Sequence, residues 1–235
     1  MQRPLKQKTI GILGGMSDKA TAEYYRMINE AVNKKLGGWD IAETIIAGVN
    51  FGNIEYFVRN NKWQEIENYL ESKSLALQAA GADVIISVSN TVHKVLPAIM
   101  QRNNLNFLHI VDPTAKAIQD GGLKKLAILG TKPVMGADYI KDRYRENFGI
   151  EVFSPNEDQQ QEVDRVIFDE LVKGSITEAS KAKYLSIVDE LEGRGAQGVI
   201  LGCTEIFLLI QQADRPEFPL FNTTELHAQA VVDLI

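Results

Sequence analysis

The sequence predicts an α/β chain of two pseudo-symmetric lobes. Each would be a mainly parallel sheet flanked by helices, with the active site between the lobes. Three observations lead there. Short apolar runs alternate with amphipathic helical stretches along the whole chain, the pattern of parallel strands joined by helical crossovers. Two stretches of the first half recur in the second at nearly one offset. At 235 residues the chain is long enough for two small cores. The division expected is 1–111 plus 213–235 for the first lobe, the C-terminal segment returning to it, and 112–212 for the second.

In order, residues 8–13 (KTIGIL) read as a buried strand. Gly14 and Gly15 follow and permit a tight turn with close backbone approach. A helix then runs from about Lys19 to Lys35, capped by Ser17 or Asp18. GILGGM lacks the spacing of a GxGxxG dinucleotide fingerprint. Residues 43–49 are a second strand, 50–60 a loop with room for a short helix, and Trp63 to Ala80 an amphipathic helix. Residues 83–88 are a third strand leading into Ser89-Asn90-Thr91-Val92-His93, then a helix to Arg102 that Pro97 can bend. Residues 106–111 read as a fourth strand, and Asp112-Pro113 opens a helix with proline in its first turn.

The pattern then restarts with a strand at 124–129 and a helix over 136–148. A short strand at 150–153 precedes helices over 158–173 and 177–194, separated by Gly174. The strand 199–201 follows and runs through Gly202 into Cys203, then a short helix to about Gln212. A strand at 219–221 and a helix over 223–235 close the chain.

The repeat pairs KTIGILGG at Lys8 with KKLAILGT at Lys124, and GADVIISVS at Gly81 with GAQGVILGC at Gly195. In the second pair a special residue falls eight positions after the first glycine, so Ser89 answers Cys203. An approximate two-fold relation between lobes would put both at equivalent strand ends, where α/β sheets carry their chemistry. A ligand approached from opposite sides by two such side chains suits removal of a proton from one face of a carbon and its return to the other.

Composition narrows the partners. The net charge of −6 and the lack of any Lys/Arg block argue against nucleic acid and anionic membrane surfaces. An anionic ligand would need local donors such as helix N-termini. No apolar run reaches the length of a membrane span, and MQRPLKQK leads into the first strand without the apolar region of a secretion signal. A single cysteine cannot form an internal disulfide and fits a reducing, cytoplasmic setting. No Cys/His cluster has metal-ligand spacing, so no metal is expected.

GILGGM, SNTVH at Ser89 to His93 and GCTEI at Gly202 to Ile206 together resemble the aspartate/glutamate racemase family, and the resemblance covers the whole chain. It implies a cofactor-independent enzyme of two pseudo-symmetric α/β lobes, commonly dimeric, in which a cysteine from each lobe serves as acid and base on an amino acid. Carried over by position, Cys203 is the second-lobe catalytic cysteine. Asn90, Thr91, Thr131 and Thr204 would hold the substrate carboxylate or amino group. Met16 belongs to the matching N-terminal motif and to the substrate site. Lys173 lies where some members place a binding lysine.

Two departures stand out: Ser89 occupies the first cysteine position, and Val58 stands where close relatives have a polar residue near the substrate side chain. A thiol titrates near 8.5 and a hydroxyl, taking water as proxy, near 15.7, a gap of ~7 units or ~10 kcal/mol in the cost of forming the proton-accepting anion. The resemblance therefore implies an asymmetric racemase or epimerase. Cys203 would take the proton from the L form, and Ser89 would be a weakened or absent second acid/base. Thiolate character at Cys203 is expected from the dipole of the helix after it.

Other readings stand beside these. Asn90 and Thr91 suit helix caps as well as ligand donors, and Lys173 before Gly174 suits a helix C-terminus. Glu205 reads as a first-turn residue favoured by the helix dipole, His93 as a surface or satisfied helix histidine, and His109 and His227 as structural. A single-cysteine decarboxylase of the same superfamily and a catalytically weak amino-acid-binding homologue remain alternatives for the whole chain.

Overall fold

The computed structural model describes residues 5–235; Met1–Pro4, the start of the N-terminal stretch read above as free of a secretion signal, lie outside the described residues. Strand β1 spans Ile10–Gly14 and is buried along its whole length, as a central parallel strand covered on both faces must be. Helix α1, Asp18–Leu36, starts at Ser17, whose hydroxyl accepts the Ala20 N–H. Strand β2, Thr44–Gly48, precedes α2, Phe51–Arg59, and α3, Trp63–Ala79. Strand β3, Val84–Ser87, is followed by a 3₁₀ turn at Thr91–Lys94 and by α4, Leu96–Arg102.

The second half holds α5 (Val111–Asp120), β4 (Lys125–Leu129), α6 (Lys132–Gly136), α7 (Asp138–Phe148), β5 (Glu151–Phe153), α8 (Glu157–Asp169) and α9 (Glu178–Gly193). It closes with β6 (Val199–Leu201), β7 (Leu220–Asn222) and α10 (Thr223–Val232).

All strand pairs are parallel. One sheet has the order β2-β1-β3 and the other β5-β4-β6-β7. In both, the first strand of the half is flanked by the second and third. The register repeats as well. Ile12 lies opposite Ile86 and Leu13 opposite Ser87 in the first sheet; Ile128 lies opposite Ile200 and Leu129 opposite Leu201 in the second. These are the residues that the two sequence repeats equate.

The chain falls into two compact units, residues 1–110 with 227–235, and residues 111–226. This differs from the expected return at residue 213. Strand β7 pairs with β6, Val199 opposite Leu220 through Leu201 opposite Asn222, which keeps 213–226 with the second unit. The first unit buries Ile10, Ile12, Tyr24, Ile28, Ile66, Leu70 and Ile86 in one core. At ~1.5–3 kcal/mol per fully buried large apolar side chain, these seven contribute about 10–20 kcal/mol against the chain entropy lost on folding. The second unit has two apolar clusters. One contains Leu129, Val166, Tyr184 and Leu201, the other Ile118, Leu126, Tyr144 and Ile200.

The short helix allowed for within 50–60 forms over Phe51–Arg59, capped by the Asn50 side chain, which accepts the Gly52 N–H. Three other local expectations change. Residues 106–111 form no strand. Asn106 and Leu108 exchange hydrogen bonds with Ile85 around a single bridge at Phe107, and the chain turns into α5 at Val111. Pro97 does not bend a helix but sits in the first turn of α4, where its missing N–H costs nothing. Residues 206–208 make only a 3₁₀ turn in place of the helix expected to Gln212.

Candidate functional site

Two glycine pairs shape the strand ends. Gly15 has φ +85°, and a Cβ there would stand 2.3 Å from the Val49 carbonyl oxygen. Only glycine fits, which holds the GILGGM turn against the end of β2. In the second unit Gly130 and Gly202 approach so closely that a Cβ on Gly130 would lie 3.0 Å from the Gly202 carbonyl oxygen. Met16, next to the first turn, is buried in the core of the first unit.

Ser89 and Cys203 are reached by equivalent backbone. The Val88 N–H donates to the Leu13 carbonyl at 3.3 Å, and the Gly202 N–H donates to the Leu129 carbonyl at 2.6 Å. One residue further on, each chain leaves its sheet. Ser89 is half-buried, and its carbonyl accepts the His93 Nδ1–H at 2.7 Å. Asn90 and Thr91 are buried at the start of the 3₁₀ turn, and the Asn90 side chain does not cap that turn, which removes the capping explanation for it.

Cys203 is only 8% exposed and shares an apolar cluster with Tyr184, Leu201 and Ile206. Its Sγ–H donates to Glu205 Oε2 at 3.2 Å, and the Thr204 hydroxyl donates to the same oxygen at 2.8 Å. Glu205 is itself buried, at 3% exposure. Burial pushes the Cys203 thiol well above its ordinary value; the negative charge of Glu205 adds to this, and that of Asp164 follows, while the Glu205 backbone N–H works the other way. The expected lowering by a following helix is thus reversed. A three-residue 3₁₀ turn supplies little dipole, and desolvation dominates.

The other candidates are spread more widely. Thr131 is buried just ahead of α6 without capping it, and the next residue, Lys132, donates its N–H to Asp164 Oδ1 at 2.7 Å. Val58 packs against the core of the first unit near the end of α2. Lys173 is exposed, ion-paired with Asp169 at 3.6 Å, and ends a 3₁₀ turn before Gly174, which has φ +78°. Among the described residues no group of three or more His, Cys, Asp or Glu side chains is placed to hold a metal ion, and no helix is long and apolar enough to cross a membrane.

Sequence reasoning underrated Glu205 and His93. Both are polar neighbours of candidate residues, and nothing in residue spacing marks them as buried. His93 donates from Nδ1 to Ser89 and accepts the Ile110 N–H on Nε2 at 3.3 Å, which fixes one neutral tautomer. Its ring lies 4.6 Å from that of His109 and 6.4 Å from that of His227, so all three histidines of the chain gather in the first unit.

His227 donates from Nε2 to the Leu108 carbonyl at 3.1 Å and accepts the Tyr24 hydroxyl at 2.9 Å. Burial holds its pKa down, from 6.5 to about 4. The unfolded chain therefore takes up a proton below pH 6.5 that the folded chain refuses. Stability is expected to fall between pH 6.5 and about 4, by about 3 kcal/mol at the acid end. Denaturant unfolding across that range should show a flatter profile for His227→Gln than for the natural chain; parallel profiles would refute the assignment.

Two parallel sheets of matched register, each ending in a polar side chain at an equivalent point, define a two-sheet α/β protein. A model of the Asp/Glu/hydantoin racemase family matches residues 13–231, and the chain belongs to that family, whose members are isomerases. It is similar to a proposed Asp/Glu racemase from Yersinia pestis, at 40% identity and a TM-score of 0.88 over 97% of this chain and 98% of that one. It is also similar to an aspartate racemase homologue from Pyrococcus horikoshii OT3, at 33% identity and a TM-score of 0.83 over 97% and 99%. Among curated proteins, the broad-specificity amino-acid racemase RacX of Bacillus subtilis is 24% identical over 95% of this chain and 96% of its own length.

Proposed function

We propose that this chain is a cofactor-independent amino-acid racemase or epimerase for aspartate, glutamate or a similar amino acid, with Cys203 as its main base. The observation that carries the reading is the repeated register: Ile12 opposite Ile86 and Ile128 opposite Ile200 bring Ser89 and Cys203 to corresponding points two residues past the ends of β3 and β6. The family likeness supplies the reaction class.

In this reading Cys203 removes the α-proton of one enantiomer, and the charge that develops moves into the substrate carboxylate. Asn90, Thr91 and Thr131 are the donors assigned to the carboxylate and amino groups, since preorganised donors lower the cost of that charge. Thr204 contributes indirectly, because its hydroxyl is turned toward Glu205. Ser89, as a hydroxyl, is the weak member, so turnover is one-sided.

The test is solvent deuterium exchange at Cα, run separately on the L and D forms of aspartate and glutamate. Exchange from one form at least ~10²-fold faster than from the other is expected, the scale that one well-placed acid/base group contributes. Equal exchange from both would sink the one-sided reading.

One observation favours a second reading. A buried thiol held in its protonated form is a proton donor at rest, which suits protonation of a carbanion left by decarboxylation. Release of carbon dioxide from disubstituted malonates, without α-proton exchange on any amino acid, would replace the racemase reading.

A further inference from the structure

The proposed reaction asks Cys203 to accept a proton, yet the geometry holds it as a thiol. Its sulfur is buried, and its proton already points at a carboxylate oxygen 3.2 Å away. A base that begins protonated has to pass its own proton on before it can take another. We propose that Glu205 is the positioning residue that takes the thiol proton of Cys203 when substrate arrives and gives it back afterwards. The inference rests on Cys203 being the base.

Geometry singles Glu205 out among the ionisable groups that face the sulfur. Among the described residues its carboxylate is the one hydrogen-bonded to Sγ. Asp164 acts on the thiol through its charge, and one of its carboxylate oxygens accepts the Lys132 N–H. Tyr184 also feels the sulfur, but its hydroxyl donates to the Val163 carbonyl at 2.9 Å. The Thr204 hydroxyl fixes Glu205 Oε2 in place from the other side. The Glu205 backbone N–H favours the thiolate once it forms. One residue thus offers the sulfur both an acceptor for its proton and a donor for its charge.

The step balances. The Sγ–H bond breaks and an Oε2–H bond forms, giving a thiolate beside a neutral carboxylic acid; the pair keeps its single negative charge. The thiolate then takes the α-proton. The Cα–H bond breaks, its electron pair stays on the substrate, and Sγ–H forms again. The pair is now neutral while the substrate has gained the charge. A buried carboxylate would otherwise face a developing carbanion at close range, and like charges in a desolvated site are costly. Passing the proton to Glu205 removes that repulsion at the moment it would matter. In the reverse direction the thiol protonates Cα, and the Glu205 acid proton returns to the sulfur.

The test uses Glu205→Gln and Glu205→Asp in the full chain, with two readouts: alkylation of Cys203 by iodoacetamide as a function of pH, and α-proton exchange in deuterated water. A glutamine removes the negative charge and presents an N–H to the sulfur, so the thiol should ionise more readily, its alkylation midpoint falling by at least about one pH unit. Exchange should nevertheless fall by ~10²-fold in kcat with little change in KM, because the proton has no acceptor. A residue that only tuned thiol acidity would speed both. Glu205→Asp keeps a carboxyl at longer reach and should retain about tenfold more exchange than the glutamine chain.

Wild-type or faster exchange in folded Glu205→Gln would overturn the proposal. If the glutamine chain does not fold, Glu205→Asp decides alone: kcat about tenfold below wild type at unchanged KM supports the proposal, and wild-type kcat overturns it. No exchange in the natural chain would sink the racemase reading and this inference together, whereas exchange in the natural chain that Glu205→Gln leaves intact sinks this inference only.

Discussion

Cys203→Ala is expected to lower α-proton exchange by ~10³-fold or more while leaving the chain folded. The expectation comes from the chemistry available at the end of β6. The chain has one thiol, and general acid/base groups in good position contribute ~10²–10⁴-fold each. With alanine in its place, Glu205 has no thiol whose proton it could take. Folding should survive. The side chain loses a single sulfur atom from a cluster that retains Tyr184, Leu201 and Ile206, a much smaller change than truncating a buried leucine. Cys203→Ser sharpens the comparison. It keeps size and a hydrogen bond toward Glu205 but raises the pKa of the group by ~7 units, so it should be nearly as inactive as alanine. Deuterium incorporation followed by mass spectrometry, with thermal melting as the folding control, reads both. Exchange within about tenfold of wild type in a folded Cys203→Ala chain would remove Cys203 from the reaction.

Much of the frame was legible because the informative residues are local and repeated. The pairs KTIGILGG with KKLAILGT and GADVIISVS with GAQGVILGC equate Ile12 with Ile128 and Ile86 with Ile200, and those residues do lie opposite one another in their own sheets. Apolar runs that repeat must be buried in equivalent ways, so the repeat carries register as well as strand order. The stretch 50–60 reads as a loop with room for a short helix, and the cap that Asn50 makes on α2 is a local contact that this reading does not use.

What failed depended on partners distant in sequence. Ile206 to Ile210 is an apolar run that suits a helix, yet it forms one 3₁₀ turn before the chain moves on toward β7. The return to the first unit was placed too early because nothing in residues 213–226 announces that β7 pairs with β6. Burial of Glu205 is a tertiary outcome. In the sequence it is one acidic residue after a threonine, and in the fold two donors point at its carboxylate from adjacent residues. The same holds for His93, which meets Ser89 four residues earlier and Ile110 seventeen residues later. The thiol of Cys203 shows the cost of reasoning from a helix dipole alone. Desolvation outweighs a short turn, and the direction of the pKa change reverses.

Ser89→Cys is expected to speed exchange from the slow enantiomer by ~10²-fold and to leave the fast one nearly unchanged. A thiol ionises to its reactive anion more readily than a hydroxyl by ~7 pKa units, worth ~10 kcal/mol in full. Only part of that reaches the rate, because the proton is only partly transferred in the transition state. The position can accept the change. Ser89 is only half-buried, and the His93 contact is to the backbone carbonyl, which the substitution keeps. Separate kcat and KM values for each enantiomer decide the matter. A rise confined to kcat of the slow enantiomer means that the substrate is already held correctly and that only the acid/base group was missing. If the slow enantiomer gains nothing while Cys203 continues to exchange the fast one, residue 89 does not serve the second face. The repeat would then have carried register into the fold without carrying the paired chemistry. The comparison also tests Glu205, since no carboxylate is bonded to position 89 in the way that Glu205 is bonded to Cys203 among the described contacts. A cysteine there that works at lower pH than Cys203 would tie the raised thiol pKa to Glu205 and to burial, rather than to the sheet end that the two positions share.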